Sequence, residues 1–272
     1  MIVLGFDTAT PATAVALRLD DGTTLRARDD PGSGERPGHT TRLLPLARAL
    51  LAQAALGWDA PGLIAVGVGP GTFTGLRVGV ATARGLAQSL GIEVADVGTP
   101  QVLAQAALAD LAARREPGAG HGALPPGARS DGVLAVIDAR RGEAFVAAFA
   151  RGAPRELAPR ESALRQPAPR EPTMPHELTA ARALPPSELA GVAAAADPGL
   201  SWRAVGDGAL RFRAELEAAG IAVPADDSPL HAVDAGVLCE LALDAPHGAP
   251  EAVLPDYRRR PDAEIALENA QQ

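Results

Sequence analysis

The order of hydrophobic patterns along the first 113 residues limits the fold more than any other feature of the sequence. Short apolar or alternating segments, each ended by a polar turn, predict three successive strands, over residues 2–6, 13–19 and 23–27. Helices and strands then alternate, with helices over 41–56, 74–90 and 101–113 and strands over 63–68 and 93–97. An antiparallel meander followed by β/α alternation predicts one mixed sheet with helices packed on it.

A second hairpin repeats the form of the first. Residues 133–137 are an apolar run that ends at Asp138, and a short polar stretch and the alternating segment 143–150 follow it. The opening of the chain has the same layout, with Asp7 in the place of Asp138. This repetition predicts a second lobe built on the same plan, although one matching hairpin also arises by chance.

These patterns divide the chain into five parts. The predicted parts are a first lobe (1–113), a linker loop (114–131), a second lobe (132–230), a final helix that packs back between the lobes (231–250) and a tail (251–272). Within the second lobe, residues 151–186 are rich in Pro and Arg and have little periodicity, which predicts a poorly ordered insertion. The tail contains Arg258, Arg259 and Arg260, which would either meet nucleic-acid phosphates or face solvent.

The composition excludes several kinds of chemistry. All 25 basic residues are arginines, so a Walker-type lysine and a Schiff-base lysine are both excluded. The net charge of −8 argues against a protein that binds nucleic acid by itself. Cys239 is the only cysteine, and no uncharged apolar stretch reaches the length of a membrane span. We therefore expect a cytoplasmic protein without a membrane segment.

A glycine-rich run joins the fourth predicted strand to the helix over 74–90. It does not fit the dinucleotide pattern G-x-G-x-x-G, because Thr72 and Thr74 stand where the third glycine would be needed. Two interpretations stay open, a tight strand-to-helix turn and a loop whose amides face an anion. The weak candidates for nucleotide contact are the residues of this turn and of the two strand ends, namely Asp7, Thr8, Gly69, Gly71 and Asp138.

The helix after this run has one smooth, small face. Gly75, Gly79 and Ala83 follow one another at intervals of four residues, so another backbone can approach them closely. That backbone belongs either to a partner protein or to the sheet and helices of the same chain. Periodicity does not separate these two interpretations.

The five histidines are scattered, and no two lie within five residues of each other. This spacing excludes a helical pair of metal ligands, and we expect surface or loop histidines rather than a metal site, although histidines far apart in sequence could still meet in the fold. We also expect no cofactor.

Four segments together resemble the TsaB (YeaZ-like) family, the dimerisation subunits of bacterial threonylcarbamoyladenosine synthesis in tRNA. They are IVLGFDTAT at 2–10, HTTRLLPL at 39–46, VGVGPGTFTGLRVGVATARGLA at 66–87 and DARRGE at 138–143. The similarity is dense over the first hundred residues and around 133–150. It is thin across 151–186.

The resemblance implies a two-lobed, actin-like α/β fold of the sugar kinase, Hsp70 and actin superfamily, with a mixed sheet and helices in each lobe. It implies a noncatalytic scaffold that binds and activates TsaD, the subunit that transfers a threonylcarbamoyl group to N6 of the adenosine beside the anticodon in ANN-decoding tRNAs. It further implies TsaE, an ATPase that joins the pair, and tRNA contact only through the complex. When the chain is alone, we expect it to form a homodimer.

In the family the first two helices form the dimer surface, here residues 41–56 and 74–90. The interface residues that the resemblance and the small helix face suggest are Leu43, Leu46, Leu50, Thr74, Gly75, Leu76, Gly79, Val80 and Ala83.

TsaD-like relatives hold a metal with two histidines four residues apart on the first helix. Here the series that starts at His39 continues with Leu43, so the resemblance implies that the metal site is absent. The alternative hypothesis is a nucleotide-dependent enzyme of the same superfamily, a phosphotransferase or a glycopeptidase-like enzyme.

Overall fold

A computed structural model describes residues 1–32, 34–114, 131–151 and 174–258. The first part of the chain forms β1 (Val3–Asp7), β2 (Thr13–Arg18), β3 (Thr24–Asp29), α1 (His39–Gln53), β4 (Leu63–Gly69), α2 (Phe73–Leu90), β5 (Glu93–Gly98) and α3 (Thr99–Arg114). The second part forms β6 (Asp131–Arg140), β7 (Glu143–Arg151), β8 (Pro175–Leu184), α4 (Pro186–Ala196), β9 (Ser201–Val205), α5 (Asp207–Arg211), α6 (Arg213–Ala218), α7 (Ala235–Asp244) and β10 (His247–Gly248). Two short 3-10 turns lie at Pro229–His231 and Pro250–Ala252.

The two sheets repeat one topology. The first has the strand order β10-β5-β4-β1-β2-β3, and the second has the order β8-β7-β6-β9. In each sheet an antiparallel meander of three strands, β1-β2-β3 or β6-β7-β8, pairs through its first strand with a later parallel strand, β4 or β9. The repeated plan predicted from the two hairpins is confirmed. The molecule has the two-lobed, actin-like α/β fold.

Helices cover both faces of the first sheet. Strand residues alternate between the faces, so Leu4 and Phe6 of β1 point to one side and Val3 to the other. The side with Leu4 and Phe6 packs against α1 and α2, which form an outer layer. The opposite side packs against α3 and α7, and the same core continues into β6 and β7 of the second sheet. Helices α3 and α7 thus lie between the two sheets.

The second sheet has a core of its own on its far face. Leu134 and Val146 of the sheet pack there with Leu189 of α4 and Leu216 of α6. These four side chains are fully buried, because the two helices close over the sheet.

Three predictions need correction in the second half of the chain. The prediction of a poorly ordered insertion over 151–186 is wrong for residues 175–184, because they form β8 and pair with β7. Residues 152–173 of the predicted insertion lie outside the described residues. The sequence over 209–219 predicts a single helix, whereas the structure breaks it at Phe212 into α5 and α6. The segment predicted as a tail (251–272) begins with residues that pack on the first lobe, since Val253 is buried in the core with residues of α1 and α2. The linker residues 115–130 and the residues from 259 onwards lie outside the described part of the chain.

No helix among the described residues is both long and apolar enough to cross a membrane.

Candidate functional site

The carboxylate of Asp7 is buried where β1 ends. Its Oδ1 accepts a hydrogen bond of 2.7 Å from the backbone amide of Ala9, and its Oδ2 accepts one of 2.7 Å from the hydroxyl of Thr99 at the start of α3. Burial raises the pKa of Asp7, whereas these two hydrogen bonds and the charge of Arg28 act in the opposite direction. Gly67 leaves the space for this carboxylate, which a Cβ atom at that position would occupy. Asp7 therefore ties β1, β4 and α3 together.

The loop after Asp7 is packed directly on the glycine-rich turn. Thr8 is fully buried, and its hydroxyl donates a hydrogen bond of 2.7 Å to the carbonyl oxygen of Gly75 in α2. The amide of Thr72 donates to the carbonyl oxygen of Ala9 over 2.8 Å. Gly71 allows this approach, because a Cβ atom there would lie 2.6 Å from the Cβ of Ala9. These contacts favour the interpretation as a turn and packing device over that of a loop whose amides face an anion.

Gly69 provides the backbone conformation that the strand-to-helix turn requires. Its φ of +102° lies in the region that favours glycine, and a Cβ atom there would also lie 2.8 Å from the side chain of Leu76. The structure thus brings four of the five weak nucleotide candidates together, but in a loop closed by contacts within the chain.

The fifth candidate, Asp138, occupies the equivalent strand end in the second lobe. Arg211 of α5 donates from Nη1 to both of its carboxylate oxygens at 2.9 Å, and the amide of Arg140 donates to Oδ1 at 2.8 Å. The backbone amide of Asp138 in turn donates to the carboxylate of Asp207 over 3.1 Å. Burial is the main cause that raises the pKa of Asp207, and the negative charge of Asp138 adds to it. Asp138 is therefore engaged by an arginine of its own lobe.

The small face of α2 lies inside the molecule. Gly75 and Gly79 are in contact with Thr8, and Gly79 also faces Val66 of β4. Seven of the nine proposed interface residues are buried within the chain, namely Leu43, Leu50, Gly75, Leu76, Gly79, Val80 and Ala83. Of the two interpretations of the small face, the structure therefore supports packing within the chain, because the close approach takes place between α2 and residues Thr8 and Val66.

The outer side of the two helices is the side that faces solvent. Of the nine proposed residues, Thr74 is exposed and Leu46 is partly exposed. Sequence reasoning did not single out the other exposed positions, among them Leu44, whose relative exposure is 46%, and Ala81. The available signal was the helical phase opposite the small face, since Thr74, Ala81 and Gly85 share it.

The segment after the second 3-10 turn lies against the start of α2. The amide of Asp256 donates to the carbonyl oxygen of Val68 over 2.8 Å, and Val253 is buried. The ring of Tyr257 lies 5.2 Å from that of Phe73. Its hydroxyl accepts a hydrogen bond of 3.0 Å from Arg77, whose guanidinium stacks 3.8 Å above Phe73. We call residues 253–257 the C-terminal strap; nothing in the sequence pattern predicted it.

His39 begins α1 and is buried. Its Nδ1 is 2.9 Å from the hydroxyl of Thr13, and its Nε2 has no hydrogen-bond partner. Burial lowers the pKa of His39, and the charge of Asp29 acts against that effect. The residue one turn later, Leu43, belongs to the apolar core. Among the described residues no group of three or more His, Cys, Asp or Glu side chains is placed to hold a metal ion.

Comparisons with known proteins agree on one group of relatives. The family described as "TsaD: tRNA N6-adenosine threonylcarbamoyltransferase" matches residues 35–153. The tRNA threonylcarbamoyladenosine biosynthesis protein TsaB of Escherichia coli is 35% identical over 151 residues, which are 56% of each chain. The protein of the same name from Haemophilus influenzae is 33% identical over 151 residues, 56% of this chain and 55% of that one. The chain thus spans about half the length of the curated relatives it matches.

A solved structure extends the likeness to nearly the whole chain. YeaZ from Pseudomonas aeruginosa superposes with a TM-score of 0.64 at 26% sequence identity, over 94% of this chain and 100% of that one.

The two repeated sheets, with a closed turn at the end of the first strand, define a two-lobed α/β protein. Within that class, the chain is similar to the TsaB proteins of Escherichia coli and Haemophilus influenzae and to the solved YeaZ structure.

Proposed function

We propose that this chain acts in the synthesis of threonylcarbamoyladenosine in tRNA, as a noncatalytic scaffold that binds and activates TsaD. The names of its curated relatives and the match of residues 35–153 to the TsaD family support the process and the partner. In this proposal TsaD performs the transfer to N6 of the adenosine beside the anticodon in ANN-decoding tRNAs. TsaE joins the pair, and tRNA meets this chain only within the complex.

The observation that carries the noncatalytic part is the closed turn at the end of β1. A phosphotransferase of this superfamily needs polar groups at this turn that can turn toward a phosphate. Here the carboxylate of Asp7 accepts from Ala9 and Thr99, and the hydroxyl of Thr8 is committed to the carbonyl oxygen of Gly75. Freeing either group would leave a buried polar atom unpaired, at a cost of roughly 1–3 kcal/mol.

The outer side of α1 and α2 is the surface that we assign to TsaD. Both helices pack on the same face of the first sheet, so their solvent sides point away from it together. Leu44 is exposed there, and the outer surface of α2 has small side chains at Ala81 and Gly85. A surface of this kind lets a partner helix come close while it buries apolar area.

Light scattering on the purified chain and on TsaD from the same organism, measured separately and mixed, tests this proposal. We expect a new species at the summed heterodimer mass. We also expect threonylcarbamoylation of tRNA only when TsaD is present, and faster turnover when both chains are. An isolated chain that binds ATP and Mg²⁺ tightly in calorimetric titration and turns over a substrate would contradict the scaffold and favour the enzyme hypothesis.

A matched pair of variants locates the surface. Ala81→Trp places a bulky ring on the outer side of α2, and Ala194→Trp places one on an exposed position of α4 in the second lobe. We expect both proteins to fold with the thermal midpoint of the parent chain. Only Ala81→Trp should lose the heterodimer; equal binding by both variants would move the surface elsewhere.

A further inference from the structure

The two helices of the outer layer carry a charge opposite to that of the chain. Helices α1 and α2 contain four arginines, Arg42, Arg48, Arg77 and Arg84, and no aspartate or glutamate. The whole chain has a net charge of −8, so the rest of it carries −12. Between Arg36 and Ile92 the only carboxylate is Asp59, in the loop after α1. By their own residues, the two helices of the outer layer are therefore positively charged elements of an acidic protein.

Within the described residues, most of this positive charge is not neutralised by ion pairs. Arg42 forms an ion pair with Asp29 at 3.2 Å. By contrast, Arg48, Arg77 and Arg84 have no ion pair with any carboxylate of the described residues. Arg77 contacts the rings of Phe73 and Tyr257 and donates a hydrogen bond to the hydroxyl of Tyr257. These groups are uncharged, so they do not neutralise the guanidinium.

The unpaired arginines belong to the outer surface. On α2, Arg77, Ala81 and Arg84 follow at intervals of four and three residues, so they share one side of the helix. On α1, Leu44, Arg48 and Ala52 follow at intervals of four residues and are all exposed. Arginine is thus interspersed with the small and apolar residues of the proposed TsaD surface.

We infer that the surface that docks on α1 and α2 belongs to an acidic protein face, whose carboxylates pair with Arg48, Arg77 and Arg84. This inference rests on the proposed function and specifies the chemistry of its partner. A second copy of this chain is the poorer occupant, because a symmetric dimer through this face sets arginines opposite arginines. Nucleic acid is disfavoured, since the −12 on the rest of the chain repels a polyanion and small apolar residues separate the arginines.

Salt dependence distinguishes the complex with TsaD from a dimer of this chain. Screening by salt weakens the attraction between opposite charges in the first and the repulsion between like charges in the second. Between about 50 mM and about 500 mM NaCl, we expect the dissociation constant of the complex with TsaD to rise about tenfold. Over the same range, self-association of this chain through the outer layer should tighten by about threefold, since screening relieves the repulsion between like charges. Sedimentation equilibrium of each sample at several salt concentrations measures both constants.

Charge reversal gives the matched test. Arg48→Glu should weaken the complex with TsaD about tenfold, mainly through a lower association rate, and flatten its salt dependence. Arg182→Glu is the control, since Arg182 is exposed on β8 of the second lobe and has no ion pair among the described residues. We expect the control to bind TsaD as the parent chain does.

The outcomes divide clearly. A complex that forms but is insensitive to salt and to Arg48→Glu overturns the acidic partner while leaving the scaffold intact. Absence of a complex at every salt concentration overturns the proposed function, and the inference with it. Salt-sensitive binding of tRNA by the free chain that Arg48→Glu abolishes would assign the surface to nucleic acid and overturn the inference.

Discussion

The hydroxyl of Thr8 donates a hydrogen bond of 2.7 Å to the carbonyl oxygen of Gly75, and this contact sets how closely α2 approaches the first hairpin. A Cβ atom at Gly75 would collide with the backbone oxygen of Thr8. The smooth side of the helix is thus an intramolecular packing surface, and the partner surface that we propose lies on the opposite side.

Gly75 and Gly85 provide a comparison within one helix. We expect Gly75→Ala to destabilise the fold by roughly 2–3 kcal/mol, because backbone atoms must move to admit the new methyl group. Gly85→Ala should instead stabilise it by up to about 1 kcal/mol, since no atom lies within 4 Å of the added Cβ and alanine is the better helix former. Urea unfolding of the two variants measures both values. Equal stability of the two would contradict the packing assigned to Thr8.

Asp7→Asn is expected to gain stability relative to the parent chain as the pH rises. The folded-state pKa of Asp7 is raised above its ordinary value of 3.8, so the folded state binds the proton more tightly than the unfolded state. The parent chain therefore loses stability as the pH rises from 3.8 through the raised pKa, and asparagine, which does not ionise, avoids that loss. Its side chain can still accept from Ala9 and donate to the oxygen of Thr99. Denaturant unfolding at a series of pH values follows the difference, with Asp96→Asn on the exposed surface as the control.

His39 should make the protein sensitive to acid. Burial lowers its folded-state pKa below the ordinary value of 6.5, so the unfolded state takes up a proton that the folded state resists. The stability associated with this group is present above pH 6.5 and is lost as the pH falls through the lowered pKa. His39→Asn keeps a partner for the hydroxyl of Thr13 and should reduce the loss. Thermal unfolding at a series of pH values from above 6.5 downwards measures this loss. His176→Asn, at an exposed histidine, is the control.

The C-terminal strap is expected to contribute to stability through Val253. Val253→Ala should cost about 1–2 kcal/mol, because it removes buried methyl groups beneath the outer layer. Leu254→Ala should change stability by less than about 0.5 kcal/mol, since that side chain has a relative exposure of 66%. The urea unfolding midpoints of the two variants measure this difference. If the strap is not bound to the rest of the protein in solution, the two midpoints should be equal.

Local patterns in the sequence were sufficient to predict the strands and helices of the first 114 residues, although not that β10 and α7 complete the first lobe. The meander, the alternation of helices and strands after it and the repeated hairpin follow from side-chain periodicity, which depends on backbone geometry alone. The ends of α2 and β5 agree with the predicted bounds to within one residue. The absence of lysine and the missing histidine one turn after His39 are likewise properties of the sequence itself.

The tertiary structure alone decided which side of each helix is free. Helix α2 is apolar or small on most of its circumference, so periodicity could not show that Gly75 and Gly79 face Thr8 while Ala81 faces solvent. Pairing of β8 with β7, and of Asp7 with Thr99, also depends on residues far apart in the chain. Such contacts form only when the whole chain is packed, because their free energy comes from partners that local sequence does not identify.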